Sequence, residues 1–171
     1  MPKYKLFQPV KTPPNRHSIG GKLAVAAKRG MIVNHKAGTT DELELSTGKA
    51  GFFLAFDVVA DLATLKGLID ANELRPNKAG FEYPLVAGSV VQAEDFVEVW
   101  VEGSDLLHAS MDEDVLPDTP ITTAAGKITV LTDSVAQEAM GKVVLNEAGK
   151  VDGDNRRFLL QIARSTKVVL D

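Results

Sequence analysis

Phe96-Val97-Glu98-Val99-Trp100-Val101-Glu102 is the stretch whose reading decides the fold. Successive side chains of a strand point to opposite faces. Val97, Val99 and Val101 therefore share one side, while Glu98, Trp100 and Glu102 share the other. The valines claim a core, which leaves the only tryptophan of the chain between two carboxylates on an outer, acidic face. One dry face and one wet face is the pattern of an antiparallel sheet.

Outward from this run the same texture continues. Short apolar runs alternate with Gly, Asn, Asp, Thr and Pro clusters, which predicts strands near Lys22–Ala27, Met31–Asn34, Glu42–Ser46, Phe52–Val59, Leu106–Ser110, Lys127–Leu131, Lys142–Leu145, Phe158–Ala163 and Lys167–Leu170. One segment breaks the period. Ala60–Asn72 places Leu62, Leu65 and Ile69 at helical spacing and stops before Pro76, so a short packing helix is expected over 60–72. The fold class is mainly β, an antiparallel β-barrel or β-sandwich.

A Gly-Lys pair followed by an apolar residue recurs at Gly21-Lys22, Gly48-Lys49, Gly126-Lys127, Gly141-Lys142 and Gly149-Lys150. A phosphate loop needs a further glycine five positions earlier and a Ser or Thr afterwards, and no copy has them. These pairs read as turns, with glycine supplying a positive φ and lysine opening the next strand.

Residues 1–20 hold Pro2, Pro9, Pro13 and Pro14 and end at Gly20-Gly21. Proline removes backbone donors and favours extended geometry in its neighbour, so neither a helix nor a central strand is expected here. The stretch reads as an extended N-terminal arm ahead of a β-rich body spanning 21–171. Tyr4, Leu6, Phe7 and Val10 sit among the prolines as apolar anchors. Twenty extended residues reach on the order of 65–70 Å, enough to touch a neighbouring subunit.

The arm is also basic. From Met1 to Thr40 there are eight Lys or Arg and no Asp or Glu, whereas the stretch between Lys78 and Lys127 has ten acids and no Lys or Arg. The net charge of −4 conceals this polarity. It suits a front end that lies on an acidic partner, another copy of the chain included. The partner-binding candidates are Lys3, Tyr4, Lys5, Phe7, Val10, Lys11, Arg16 and Trp100.

With 171 residues, 44% hydrophobic and 25% charged, the chain can bury an ordinary core. It has no cysteine, which removes disulfides, thiolate metal sites and cysteine nucleophiles. No apolar run is long enough to span a membrane, and prolines and lysines stand where a signal peptide would have its apolar core. Synthesis in the cytoplasm is the expectation.

Chemistry is hard to find. His17, His35 and His108 are isolated, without a second ligand at metal spacing. There is no Gly-x-Ser-x-Gly elbow and no Ser-x-x-Lys in a helical context. Asp112-Glu113-Asp114 and Asp152-Gly153-Asp154-Asn155 could offer oxygens to calcium but complete no twelve-residue loop, so both read as turns. Paired carboxylates remain open as a catalytic device, since pairing depends on the fold. No catalytic residue, metal or cofactor is assigned. Nucleic acid is not the expected partner, because the basic residues are not interleaved with the glycines and aromatics of a stacking platform and the body is acidic.

Gly20-Gly21-Lys22-Leu23-Ala24-Val25-Ala26-Ala27, Met31-Ile32-Val33, Gly48-Lys49-Ala50-Gly51-Phe52-Phe53-Leu54-Ala55-Phe56-Asp57-Val58 and the later Gly-Lys pairs give a texture of small residues, glycine turns and short valine strands. In this the chain resembles the decoration, or cement, proteins of tailed-bacteriophage capsids over most of Gly20–Ala163. The resemblance implies a non-enzymatic virion protein on the outer capsid surface, a homo-oligomer (trimer or dimer) that binds the major capsid protein and neighbouring copies and is pinned by its arm. The length and the helix over 60–72 depart from the smallest such proteins. A tail-tube or connector subunit is the alternative among virion proteins. A small-molecule or carbohydrate-binding β domain built around Trp100 is the alternative from another class.

Overall fold

The alternation around Trp100 is realised as a strand paired on both sides, the second of a six-stranded sheet. In the computed structural model, which describes residues 7–14, 17–54, 87–148 and 156–163, eleven strands form two units. The sheet contains β1 (Phe7–Lys11), β7 (Glu98–Glu102), β11 (Arg157–Ile162), β10 (Gly141–Asn146), β8 (Pro120–Ala124) and β9 (Lys127–Val130), in the spatial order β1-β7-β11-β10-β8-β9. All of its pairs are antiparallel. The second unit is a closed barrel, β2-β4-β3-β5-β6, of β2 (Ser18–Leu23), β3 (Ile32–His35), β4 (Glu42–Leu45), β5 (Phe52–Phe53) and β6 (Val90–Glu94). One of its pairs, β2 with β4, is parallel. Barrel and open sheet thus occur together, where the sequence pattern left a choice between barrel and sandwich.

The expected register of β7 holds. Val99 and Val101 are fully buried, and Glu98, Trp100 and Glu102 are half-buried on the other face. Leu106–Ser110, expected as a strand, is instead a series of turns. Leu106 and Leu107 are both buried, which strict alternation forbids, and their amides both donate to Gly103 O. Leu107 keeps one parallel bridge to Ile128. The helix expected over 60–72 and the strand at Lys167–Leu170 lie outside the described residues.

The arm requires a correction. Phe7–Lys11 is a strand of the chain's own sheet, and Ser18–Leu23 is a barrel strand. The prolines are compatible with this because, among the described residues, β1 is an edge strand paired with β7 alone, so the missing amide of Pro9 breaks no interior ladder. A bulge between Pro9 and Lys11 leaves Val10 as the extra residue.

Two features lock the units together. Phe7 of β1 stacks on Phe53 of β5 with ring centroids 5.0 Å apart, and Phe96 meets both edge-on at 5.6 and 6.0 Å. The loop after β4 also threads onto the β8–β9 hairpin. Gly48 N donates to Thr123 O at 2.7 Å, Gly126 N donates to Ser46 O at 2.8 Å, and Ile32 N donates to Gly126 O at 3.0 Å. Beneath these bonds, the hydroxyl of buried Thr123 lies within hydrogen-bond distance of Ser46 Oγ (3.0 Å) and Lys49 O (2.6 Å). Asn34 Nδ2 donates to Ser46 Oγ at 2.9 Å and to Ala50 O at 2.8 Å.

The Gly-Lys pairs divide into two kinds. Gly126, with φ +78°, turns the β8–β9 hairpin as expected. Gly141 lies inside a strand, where a Cβ would collide with the backbone of Gln161. There glycine permits close approach of two strands, not a turn.

Candidate interaction face

The outer face of β1-β7-β11-β10 can be assembled row by row from the register. Gln8, Trp100, Leu159 and Leu145 stand directly opposite one another on adjacent strands and form the middle row. On one side lie Lys11, Glu98, Gln161 and Lys142. On the other side Glu102 is opposite Arg157, whose guanidinium reaches Glu147 at 3.6 Å. The middle row is the apolar one. Leu145 is 40% exposed, and Val144, the extra residue of the β10 bulge, is 38% exposed.

Arg157 caps the tryptophan. Its guanidinium carbon lies 4.1 Å from the centroid of the Trp100 ring, within cation–π range. Trp and Arg are the residue types most enriched at interface hot spots.

The predicted partner-binding residues separate into three groups. Lys3, Tyr4, Lys5 and Arg16 lie outside the described residues. Phe7 is 4% exposed and belongs to the core between the two units, not to a surface. Val10 is 45% exposed and Lys11 is exposed beside Glu98, 3.9 Å away, so both stand on the β1 margin of the face that carries Trp100. Sequence reasoning missed Arg157 and Leu159. The alternation Arg157-Phe158-Leu159-Leu160-Gln161 carried the signal, but the expected strand began one residue late.

The charge separation along the sequence is partly resolved within one chain. Lys28 Nζ meets Asp105 Oδ2 at 2.8 Å, and Lys11 meets Glu98, so two bases of the front end contact the acidic segment of the same molecule. Lys142 meets Asp118 and Lys36 meets Glu42, each at 2.8 Å. The hydrogen bond that Lys36 Nζ donates to the Glu42 carboxylate, followed by that carboxylate's charge, raises the Lys36 pKa above the ordinary lysine value of 10.5.

Elsewhere polar side chains secure backbone. Arg156 Nη1 donates to His108 O (2.9 Å) and Met111 O (3.0 Å), and Nη2 donates to Leu107 O (3.4 Å). Asn146 Nδ2 lies within 2.9–3.2 Å of the carbonyls of Asp112, Glu113 and Val115, and Asn146 Oδ1 accepts from Ala148 N. His108 Nδ1 accepts from Ser110 N at 3.2 Å, while Ser110 Oγ lies 2.8 Å from Thr129 Oγ1. Asp112 Oδ1 accepts from Asp114 N, so this acidic run is a capped turn, and no metal-holding group of His, Asp and Glu occurs among the described residues. A half-open cleft of about 750 Å³ lies between Gly48-Lys49 and residues 131–139, and Lys49 and Glu138 are the charged residues among its described lining.

No protein-family model matches the chain. No curated protein matches it either. Among solved structures it is similar to the head fiber gp8.5 N base of bacteriophage phi29, at 10% identity and a TM-score of 0.48, over 88% of this chain and 96% of that one. A likeness this slight carries no role from that protein to this one.

Proposed function

We propose that this protein is a non-enzymatic structural component of a bacteriophage particle, a capsid-surface protein that binds the major capsid protein and further copies of itself. The observation that carries the reading is the use made of its polar side chains. Arg156, Asn146, Thr123, Ser46 and Asn34 are spent on backbone carbonyls and on one another, fastening loops to strands and the barrel to the sheet. Such a body resists deformation, which is what repeated subunits on a pressurised shell require. The texture of glycine turns and short valine strands supports the same class.

Attachment to the particle draws on Lys3, Tyr4 and Lys5 ahead of β1, because Phe7 is committed to the core. The test is co-sedimentation with particles stripped of the protein, comparing the full chain with a variant lacking residues 1–6. Binding by the full chain and weaker binding by the variant supports the proposal. No binding by either overturns it, and electron-microscopic density in stacked tail rings in place of the head surface would reassign the protein to the tail.

A further inference from the structure

We propose that the outer face of β1-β7-β11-β10 is a self-complementary contact between two copies of this chain, related by a two-fold axis parallel to the strands between β7 and β11. The inference deepens the self-associating reading above and rests on it.

A two-fold contact uses the same patch twice, so every residue must suit the one that the axis brings onto it. An axis along the strands between β7 and β11 exchanges their positions. Trp100 then faces the partner's Leu159, and Leu159 faces the partner's Trp100. Glu102 and Arg157, cross-strand neighbours within one chain, likewise face each other between chains in both directions. The centre thus receives two indole–leucine contacts and two carboxylate–guanidinium contacts. Glu98 meets Gln161, which is neutral. Lys11 and Lys142 meet only at the rim, and each already has a carboxylate of its own chain, Glu98 and Asp118 respectively.

The perpendicular axis fails the same test. It would place Glu98 on Glu102 twice over, and like charges brought together are repulsive. Charge therefore selects one arrangement of the sheets.

Size sets the strength. Four strands about 4.8 Å apart and five residues long at about 3.4 Å each give a patch of roughly 300 Å² per copy. A standard interface has about 800 Å² per partner. The free dimer is accordingly weak, and a lattice of repeated copies would strengthen it by raising effective concentration.

Sedimentation equilibrium from micromolar to millimolar protein tests the contact, with retained circular dichroism confirming that each variant folds. The wild-type chain should associate as concentration rises, and its single tryptophan should become less accessible to quencher. Glu102→Arg and Arg157→Glu should each weaken association by about tenfold or more. An equimolar mixture of the two variants should restore it, because opposite charges then face each other across the axis, and the double variant should restore it within one species. A wild-type chain that stays monomeric at millimolar concentration overturns the proposal, as does association unaffected by either charge reversal. Particle co-sedimentation is scored separately. Association insensitive to these changes alongside intact particle binding removes this face and leaves the virion reading, whereas a charge-reversible dimer that ignores particles does the opposite.

Discussion

Asn146, in β10, and Arg156, just ahead of β11, reach the same loop, and each lies against three of its carbonyls. Asn146 secures Asp112, Glu113 and Val115, while Arg156 secures Leu107, His108 and Met111. The segment between β7 and β8 is thereby held at two points. Among the described residues its one β-bridge is Leu107–Ile128, so these side chains supplement a few backbone bonds.

Asn146→Ala should lower stability by about 1–3 kcal/mol, the range for part-buried acceptors left without their donor. Asn146→Asp should be worse at neutral pH, because a carboxylate would face three carbonyl oxygens beside Asp112 and Glu113. Its folded-state pKa should then be raised, so the penalty is present above that value and shrinks as pH falls through it. Urea midpoints at pH 7 and pH 4, each relative to wild type, measure both effects; a larger Asn146→Asp deficit at pH 4 would contradict this account.

Phe7 fixes the edge of the sheet to the barrel. Phe7→Ala should lower stability by about 3–5 kcal/mol, as for other buried aromatics. Val10→Ala, at an exposed bulge, should change it by less than about 0.5 kcal/mol. Deletion of residues 1–6 should leave the melting temperature nearly unchanged, while deletion through Ser18 removes β1 and should depress it sharply. Differential scanning calorimetry of the four variants provides the comparison.

How legible these features were in the sequence depends on how strongly residues contrast along each strand. In β7 the contrast is greatest, valines against two glutamates and a tryptophan, and both strand and register could be read directly. β1 could not be recognised, because Pro9 and the neighbouring lysines suggest a segment without partners, and only an edge position reconciles proline with pairing. The apolar Phe7 was therefore visible as an anchor, but whether it anchors to a partner or to Phe53 is a tertiary matter. Leu106 and Leu107 misled in the opposite sense, since two adjacent buried leucines resemble a strand until burial is seen not to alternate. The face itself has a different obstacle. Trp100, Leu159 and Leu145 are distant in sequence and become one row only through the register of three strands, which local patterns do not specify.

The buried polar group between the units makes a further prediction. Thr123 Oγ1 has both Ser46 Oγ and Lys49 O within bonding distance, and Lys49 N donates to it at 3.3 Å. Thr123→Val keeps the shape but leaves these groups without their partner. The expected loss is about 1–3 kcal/mol, accompanied by faster amide exchange at Gly48 and Lys49. Thr123→Ser should keep most of the stability, and hydrogen exchange followed by NMR separates the two variants.

Removing the cap from Trp100 gives the most direct optical test of the outer face. The indole lies half-buried under the Arg157 guanidinium, and that contact is an exposed cation–π pair worth on the order of 0.5–1 kcal/mol. Arg157→Ala should therefore cost little stability in dilute, monomeric protein. It should nonetheless shift the emission of the single tryptophan to the red and raise its quenching by acrylamide, because the ring loses its cover. Arg157→Lys should fall between the two, since an ammonium keeps the charge but lacks the flat guanidinium that stacks on the ring. Emission and quenching unchanged in Arg157→Ala would mean that the indole is sheltered by something other than Arg157.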